Sequence, residues 1–281
     1  MQDIILSISS TIGMLIQTDQ PKLINILNKG LFQYIHDRYY DSEYIKVRLE
    51  VRLVNNEWII HDNKKYFITC KEIIDILIYL QERIESLLEQ DVYQNGLSVQ
   101  LHGGTLYGYS SKKGIGIIGP TQAGKSSLIT GAVLSQEFSF VSDDSILFQQ
   151  NTKLLKTFPQ MLFLRNKGLF NCDADRYCFA QGYSNLREEN VYAFSFPHPE
   201  CPVFLSYIVF LQRNEERKPF VARLSSIEGY EELLLNSKFG THVSVNRMCF
   251  LEIVRTIPIY RLNYTTIKEG IYGLLKIQAF I

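Results

Sequence analysis

One octet carries the densest chemistry in the sequence: Gly119, Pro120, Thr121, Gln122, Ala123, Gly124, Lys125 and Ser126, with Ser127 directly behind it. It fits G-x-x-x-x-G-K-[ST] at every fixed position. Glycines at these places let the main chain wrap closely around phosphate oxygens. A helix beginning at the lysine would add its N-terminal amides and dipole to the same anion. In such a loop Lys125 reaches the β- and γ-phosphates, and the Ser126 hydroxyl binds magnesium. The expected nucleotide contacts are therefore Gly119, Thr121, Gln122, Ala123, Gly124, Lys125, Ser126 and Ser127, with ATP and Mg²⁺ as cofactors.

A pair of carboxylates, Asp143 and Asp144, follows the apolar run Phe138-Ser139-Phe140-Val141. A carboxylate at a strand end beside bound phosphates has two uses: it accepts a proton from an incoming hydroxyl, or it holds magnesium. The residues alone do not assign the two jobs. Phosphoryl transfer also needs a cation to spread transition-state charge. Arg165, Arg176 and Arg213 are the candidates, being downstream of the aspartates, with Arg165 and Arg213 preferred. His102 is, on its own, a polar residue at a strand end. Cys172, Cys178, His198 and Cys201 read as scattered reduced side chains rather than a zinc set, because the gap between the first two exceeds usual ligand spacing.

These groups need elements to position them. Residues 115–118 are an apolar strand into the loop, and 125–136 read as the helix out of it. Residues 138–141 are the next strand, expected parallel and adjacent to the first by strand–helix–strand logic. Further strands are expected at 97–101, 105–109, 203–211 and 258–264, and a helix at 243–255. Ser225 and Glu228 mark a capping box before an apolar helix. Nearer the start, 45–53 alternates strictly as a half-solvated strand, and 57–69 reads as a hairpin. Thr69 and Glu72 are expected to open a helix whose buried stripe is Ile73, Leu77, Leu80, Ile84, Leu87 and Leu88. Residues 22–40 carry a helical face; the rest of 1–43 yields no clear pattern.

Three segments in order, Leu101-His102-Gly103, 119–126, and Val141-Ser142-Asp143-Asp144, resemble the catalytic domain of HPr kinase/phosphorylase and its stand-alone relatives. There the patterns are H-G or H-A, G-x-x-G-x-G-K-S, and V-A-D-D. Tyr260-Arg261-Leu262-Asn263-Tyr264 also resembles the closing strand of the stand-alone kinases. The resemblance covers roughly 97–264 and implies a mixed α/β fold. A P-loop nucleotide domain with a central mixed sheet would occupy 96–281, preceded by a small α+β accessory or substrate-recognition domain at 1–95. It implies that Asp143 is the base toward a serine hydroxyl. His102 would sit beside Asp143 and tune its charge, and Asp144 would orient the site or bind magnesium. Gln122 departs from the pattern, which has glycine two places before Gly124. The Gly-Ile-Gly-type motif of true HPr kinases is not visible. The likeness is thus to small kinases beside peptide-modifying enzymes, including those of lasso-peptide precursors, or to kinases of free serine. Homo-oligomers occur in that family.

Composition sets outer bounds. With 29 acidic and 29 basic side chains, the formal net charge is zero, which gives no bulk reason to bind nucleic acid or an anionic membrane. The odd set of five cysteines and the absence of a secretory pattern around Asp3 suggest a reduced, cytoplasmic chain. The expected acceptor is a peptide, protein or small molecule bearing a serine hydroxyl. The rival reading is an ATP-driven switch or ATPase subunit with water as its only acceptor.

Overall fold

The structure is a computed structural model. It describes residues 1–9, 11–35, 43–63, 67–95, 98–165, 176–185, 187–212, 218–236 and 243–279. In chain order the first elements are β1 (Gln2–Ser7), β2 (Gly13–Thr18), α1 (Pro21–Leu31), β3 (Ile45–Val54), β4 (Glu57–Asp62), β5 (Phe67–Cys70) and α2 (Ile73–Asn95). Then come β6 (Ser98–Leu101), β7 (Gly103–Gly108), β8 (Lys113–Ile118), α3 (Lys125–Leu134), β9 (Phe138–Ser142) and β10 (Ile146–Gln149). The remainder comprises β11 (Leu162–Leu164), β12 (Cys178–Ser184), β13 (Glu189–Phe194), β14 (Leu205–Gln212), β15 (Phe220–Arg223), α4 (Ser226–Asn236), α5 (Val243–Thr256), β16 (Ile259–Asn263) and α6 (Ile267–Ala279). The chain is a mixed α/β protein with mixed sheets.

It divides into two compact units: Met1–Gln94 with Phe158–Ser195, and Asn95–Thr157 with Phe196–Ile281. A single division near residue 95 is therefore not what the chain adopts, because 158–195 return to the first unit. The physical reason lies in α2, whose opening turns are buried all round and not along one stripe. A helix covered on every side needs partners on every side. The sheet in the order β1-β2-β3-β4-β5 and the smaller sheet β11-β13-β12 both belong to the first unit, together with α1 and α2. Buried Asp75 of α2 accepts the Ser184 hydroxyl at 2.7 Å, and the Gln81 side-chain oxygen accepts the Met161 N–H at 3.0 Å.

Within this unit β3 buries Val47, Leu49 and Val51 and exposes Lys46, Arg48 and Arg52, as its alternation requires. The expected stripe of α2 is buried from Ile73 to Leu88. The helix starts at Ile73, however, and not at Thr69. Thr69 is paired with Ile59 in the β4–β5 ladder, so the strand takes the residue first. The helical face expected over 22–40 is shorter, ending at Leu31 before a short 3₁₀ turn; 36–40 lie outside the described residues.

The second unit is built on a six-stranded sheet in the order β15-β16-β14-β8-β7-β9. Strands β8, β14 and β16 run parallel, and β7 runs antiparallel to both β8 and β9. Hence β9 points the same way as β8 but is not its neighbour, contrary to the expectation above. β7 and β8 form a hairpin closed by the turn at 109–112, where Lys112 has φ 56° and its N–H reaches Gly108 O at 2.8 Å. That hairpin fills the place beside β8, and β9 joins the far side of β7.

Helices α3 and α6 pack against one face of this sheet, α4 and α5 against the other. Alternation along β16 shows the division. Ile259 belongs to the cluster containing Leu233, Phe250 and Ile253, whereas Leu262 meets Gly273 of α6. The Ser225–Glu228 box forms as expected: Glu228 accepts the Ser225 N–H at 2.8 Å, and the Ser225 hydroxyl accepts the Glu228 N–H at 3.3 Å. Among the described residues no helix is long and apolar enough to cross a membrane.

Candidate active site

The strand directions gather the chemistry at one edge of the six-stranded sheet. The C-terminal ends of β8, β9, β14 and β16 all lie there, together with the start of β7. They deliver, respectively, the glycine loop, Asp143, Gln212, Tyr264, and His102.

The glycine loop leaves β8 at Gly119. A Cβ there would stand 3.2 Å from Leu211 O and 3.3 Å from the Ala123 Cβ, so a side chain at 119 would crowd these neighbours by a few tenths of an ångström. Gln122 and Gly124 both take left-handed backbone, at φ 68° and 85°. This is why glycine suits position 122, and Gln122 carries there a local cost of about 1 kcal/mol. Gly124 caps α3 without a side-chain hydrogen bond, which leaves the amides of the first turn to another acceptor. Lys125 is buried at 7% exposure and curls back on its own loop, its Nζ donating to Gly119 O at 2.8 Å and Pro120 O at 3.1 Å.

Asp143 directly follows β9 and is 2% exposed. Its carboxyl has room because residue 104 is glycine; a Cβ at that position would lie 3.1 Å from Asp143 Oδ1 and 2.8 Å from Ser142 O. Burial, and then the neighbouring Asp144 charge, push its pKa up from 3.8 to about 8. Hydrogen bonds from the Ser126 hydroxyl and the Asp144 amide, with the Lys125 charge, oppose that rise. A carboxyl in this range is matched to proton transfer near neutral pH. Asp144 itself has φ 60°, a conformation aspartate tolerates. This turn brings its carbonyl oxygen to the Gly103 N–H at 3.3 Å and His102 Nδ1 at 3.1 Å. His102 thus meets the main chain of Asp144, and it is not among the causes that set the Asp143 pKa.

The structure brings together 119–127, Asp143, Asp144 and His102 on one unit. Arg165 falls in the first unit, exposed and ion-paired with Glu189 at 3.0 Å. Arg213 lies outside the described residues. So does Cys172, and the described residues contain no group of three or more His, Cys, Asp and Glu side chains placed to share a metal ion. His198 is instead packed on the Phe140 ring at 5.4 Å, and burial lowers its pKa to about 4. Sequence reasoning missed two contributors. Gly104 could have been suspected as the second glycine after His102. Tyr264, whose hydroxyl donates to Ala123 O at 2.9 Å, gave no signal except its place at the end of the closing strand.

No protein-family model matches the sequence, and no curated protein matches it. Among solved structures the chain is similar to the HPr(Ser) kinase/phosphatase from Coxiella burnetii. The identity is 13% and the TM-score 0.30, over 65% of this chain and 99% of that one. This is a distant neighbour, and a likeness of this degree carries no argument about substrate or mechanism.

Proposed function

We propose that the chain is an ATP- and magnesium-dependent kinase that transfers the γ-phosphate to a serine hydroxyl of a peptide, a protein or free serine. The observation that carries this reading is the meeting of a buried Asp143 carboxyl with the Lys125–Ser126 end of the glycine loop. A carboxyl at pKa about 8, hydrogen-bonded by the Ser126 hydroxyl, suits a general base beside bound phosphates. The residues also suit the cofactor. The loop has the motif, the left-handed Gly124 and the uncapped first turn that phosphate binding needs. Magnesium would be held by Ser126 and Asp144, with nucleotide oxygens completing its shell, since this ion takes few protein ligands. When bound, it would neutralise charge building on the phosphates.

In this reading the loop amides and Lys125 hold and orient the triphosphate. The acceptor hydroxyl oxygen bonds to the γ-phosphorus as the bond to the ADP oxygen breaks, and its proton passes to an Asp143 carboxylate oxygen. Asp143 must be ionised to serve, so cations beside it favour the active form. His102 fixes the Asp143–Asp144 turn through the Asp144 carbonyl. The first unit would recognise or orient the acceptor. The enzyme is read as cytoplasmic, and assembly as a homo-oligomer accords with the resemblance to HPr-kinase-like proteins. The test is ADP release from MgATP with and without serine-containing peptides or free serine. Acceptor-dependent release supports transfer; equal rates with and without every acceptor favour the ATPase reading.

A further inference from the structure

The geometry points to Tyr264 as a positioning residue that aims the closing amides of the glycine loop and so sets nucleotide affinity, an inference that rests on the phosphate-binding reading above. Tyr264 directly follows β16 and is 3% exposed. Its hydroxyl lies 2.9 Å from Ala123 O and 3.3 Å from Gly124 O. A trans peptide is planar, so its N–H points opposite to its C=O. Drawing these two carbonyls toward Tyr264 turns the Gly124 and Lys125 N–H groups away from the ring. Those are amides that a phosphate in this loop would use. The Gly124 carbonyl also accepts the Leu128 N–H at 2.8 Å, which already ties it to α3. The Ala123 carbonyl is therefore the group whose direction Tyr264 governs.

The fit runs both ways. A Cβ on Gly124 would stand 2.7 Å from the Tyr264 oxygen, so the motif glycine gives the left-handed backbone and also clears space for the hydroxyl. The ring is held from α6. A Cβ on Gly270 would lie 3.2 Å from Tyr264 Cδ2 and 2.7 Å from Leu128 Cδ1. The first turn of α6 is fixed just beside the ring, where Glu269 accepts the Thr265 and Thr266 N–H groups at 3.0 Å each. The loop's orientation is thus inherited from the end of β16 and the start of α6.

Tyr264→Phe removes one oxygen and keeps the ring. Tyr260→Phe makes the same change at another buried tyrosine, in β16 itself, and serves as the control. The readouts are MgADP affinity by calorimetry, KM for ATP, kcat, and Tm without nucleotide. Loss of one hydrogen bond should weaken MgADP binding about five- to tenfold in Tyr264→Phe. KM should rise by a similar factor, with kcat held within about twofold. The Tm of the nucleotide-free protein should move no further than in the control, whose affinity should equal that of the wild type. Wild-type binding with equal affinity in Tyr264→Phe overturns the positioning role and leaves the kinase reading standing. An affinity loss matched by Tyr260→Phe overturns it too, by showing general loosening. No MgADP binding by the wild type overturns both this role and the phosphate-binding reading.

Discussion

Asp143→Asn should change how the stability of the nucleotide-free protein depends on pH. The buried carboxyl titrates at about 8 in the folded chain, against 3.8 as a free side chain. Between these values the folded state keeps the proton and the unfolded state has released it. Stability then falls as pH rises, by up to ~1.4 kcal/mol per pH unit from this group alone. The loss begins above the unfolded pKa and is complete once pH passes the folded one. Asparagine has the same shape and does not ionise, so the variant should escape the loss. Its stability relative to wild type should climb by roughly 2–3 kcal/mol between pH 5 and pH 7. His198 works the other way: held neutral at a pKa lowered to about 4, it removes stability as pH falls below 6.5. That contribution is common to both proteins and cancels in the difference. The single tryptophan, Trp58, lies in the first unit, so its fluorescence reports the wrong one. Amide hydrogen exchange in β8 and β9, across pH, reads the correct unit. Stability curves that stay parallel from pH 5 to pH 7.5 would refute a high pKa at Asp143.

Three further outcomes follow from the same geometry. At subsaturating ATP, kcat/KM should rise with pH and level off near pH 8, because the base must lose its proton; a flat profile counts against Asp143 as the base. Gly124→Ala, at φ 85° and 2.7 Å from the Tyr264 oxygen, should cost on the order of 1–3 kcal/mol and abolish MgADP binding, read by thermal melts with and without nucleotide. Asp75→Ala removes the acceptor of the Ser184 hydroxyl and should cost on the order of 1–3 kcal/mol; faster proteolysis within 178–194 is the sign to look for, and unchanged cleavage would contradict the assignment of that hairpin to α2.

The octet, the carboxylate pair and most elements flanking them were legible because each depends on local pattern: a motif, an alternation, a cap. The capping box at Ser225 and the β3 alternation are of this kind. What local pattern cannot carry is pairing at a distance. Nothing near residue 140 says that a hairpin strand will stand between β8 and β9. Nothing in 158–195 announces that Ser184 will seat on Asp75. The nearly unbroken apolar run at 73–80, interrupted only by Asp75, was the available hint, since a helix apolar all round needs cover from beyond its own neighbourhood. It also bears on deletion experiments: removing 1–95 would take away Gln81 and Asp75, which accept hydrogen bonds from the Met161 N–H and the Ser184 hydroxyl. The β1–β2 hairpin and α6 were missed for simpler reasons. The first alternates weakly, and the second has glycines at 270 and 273 that weaken a helix signal but permit close packing on Leu128 and Leu262.

The most direct test of the central claim is mass spectrometry of serine-containing peptides and free serine after incubation with MgATP and either the wild-type protein or Asp143→Asn. The account predicts phosphate on an acceptor serine with the wild type and none with the variant, while both bind MgADP. Equal phosphorylation by the two proteins would contradict it.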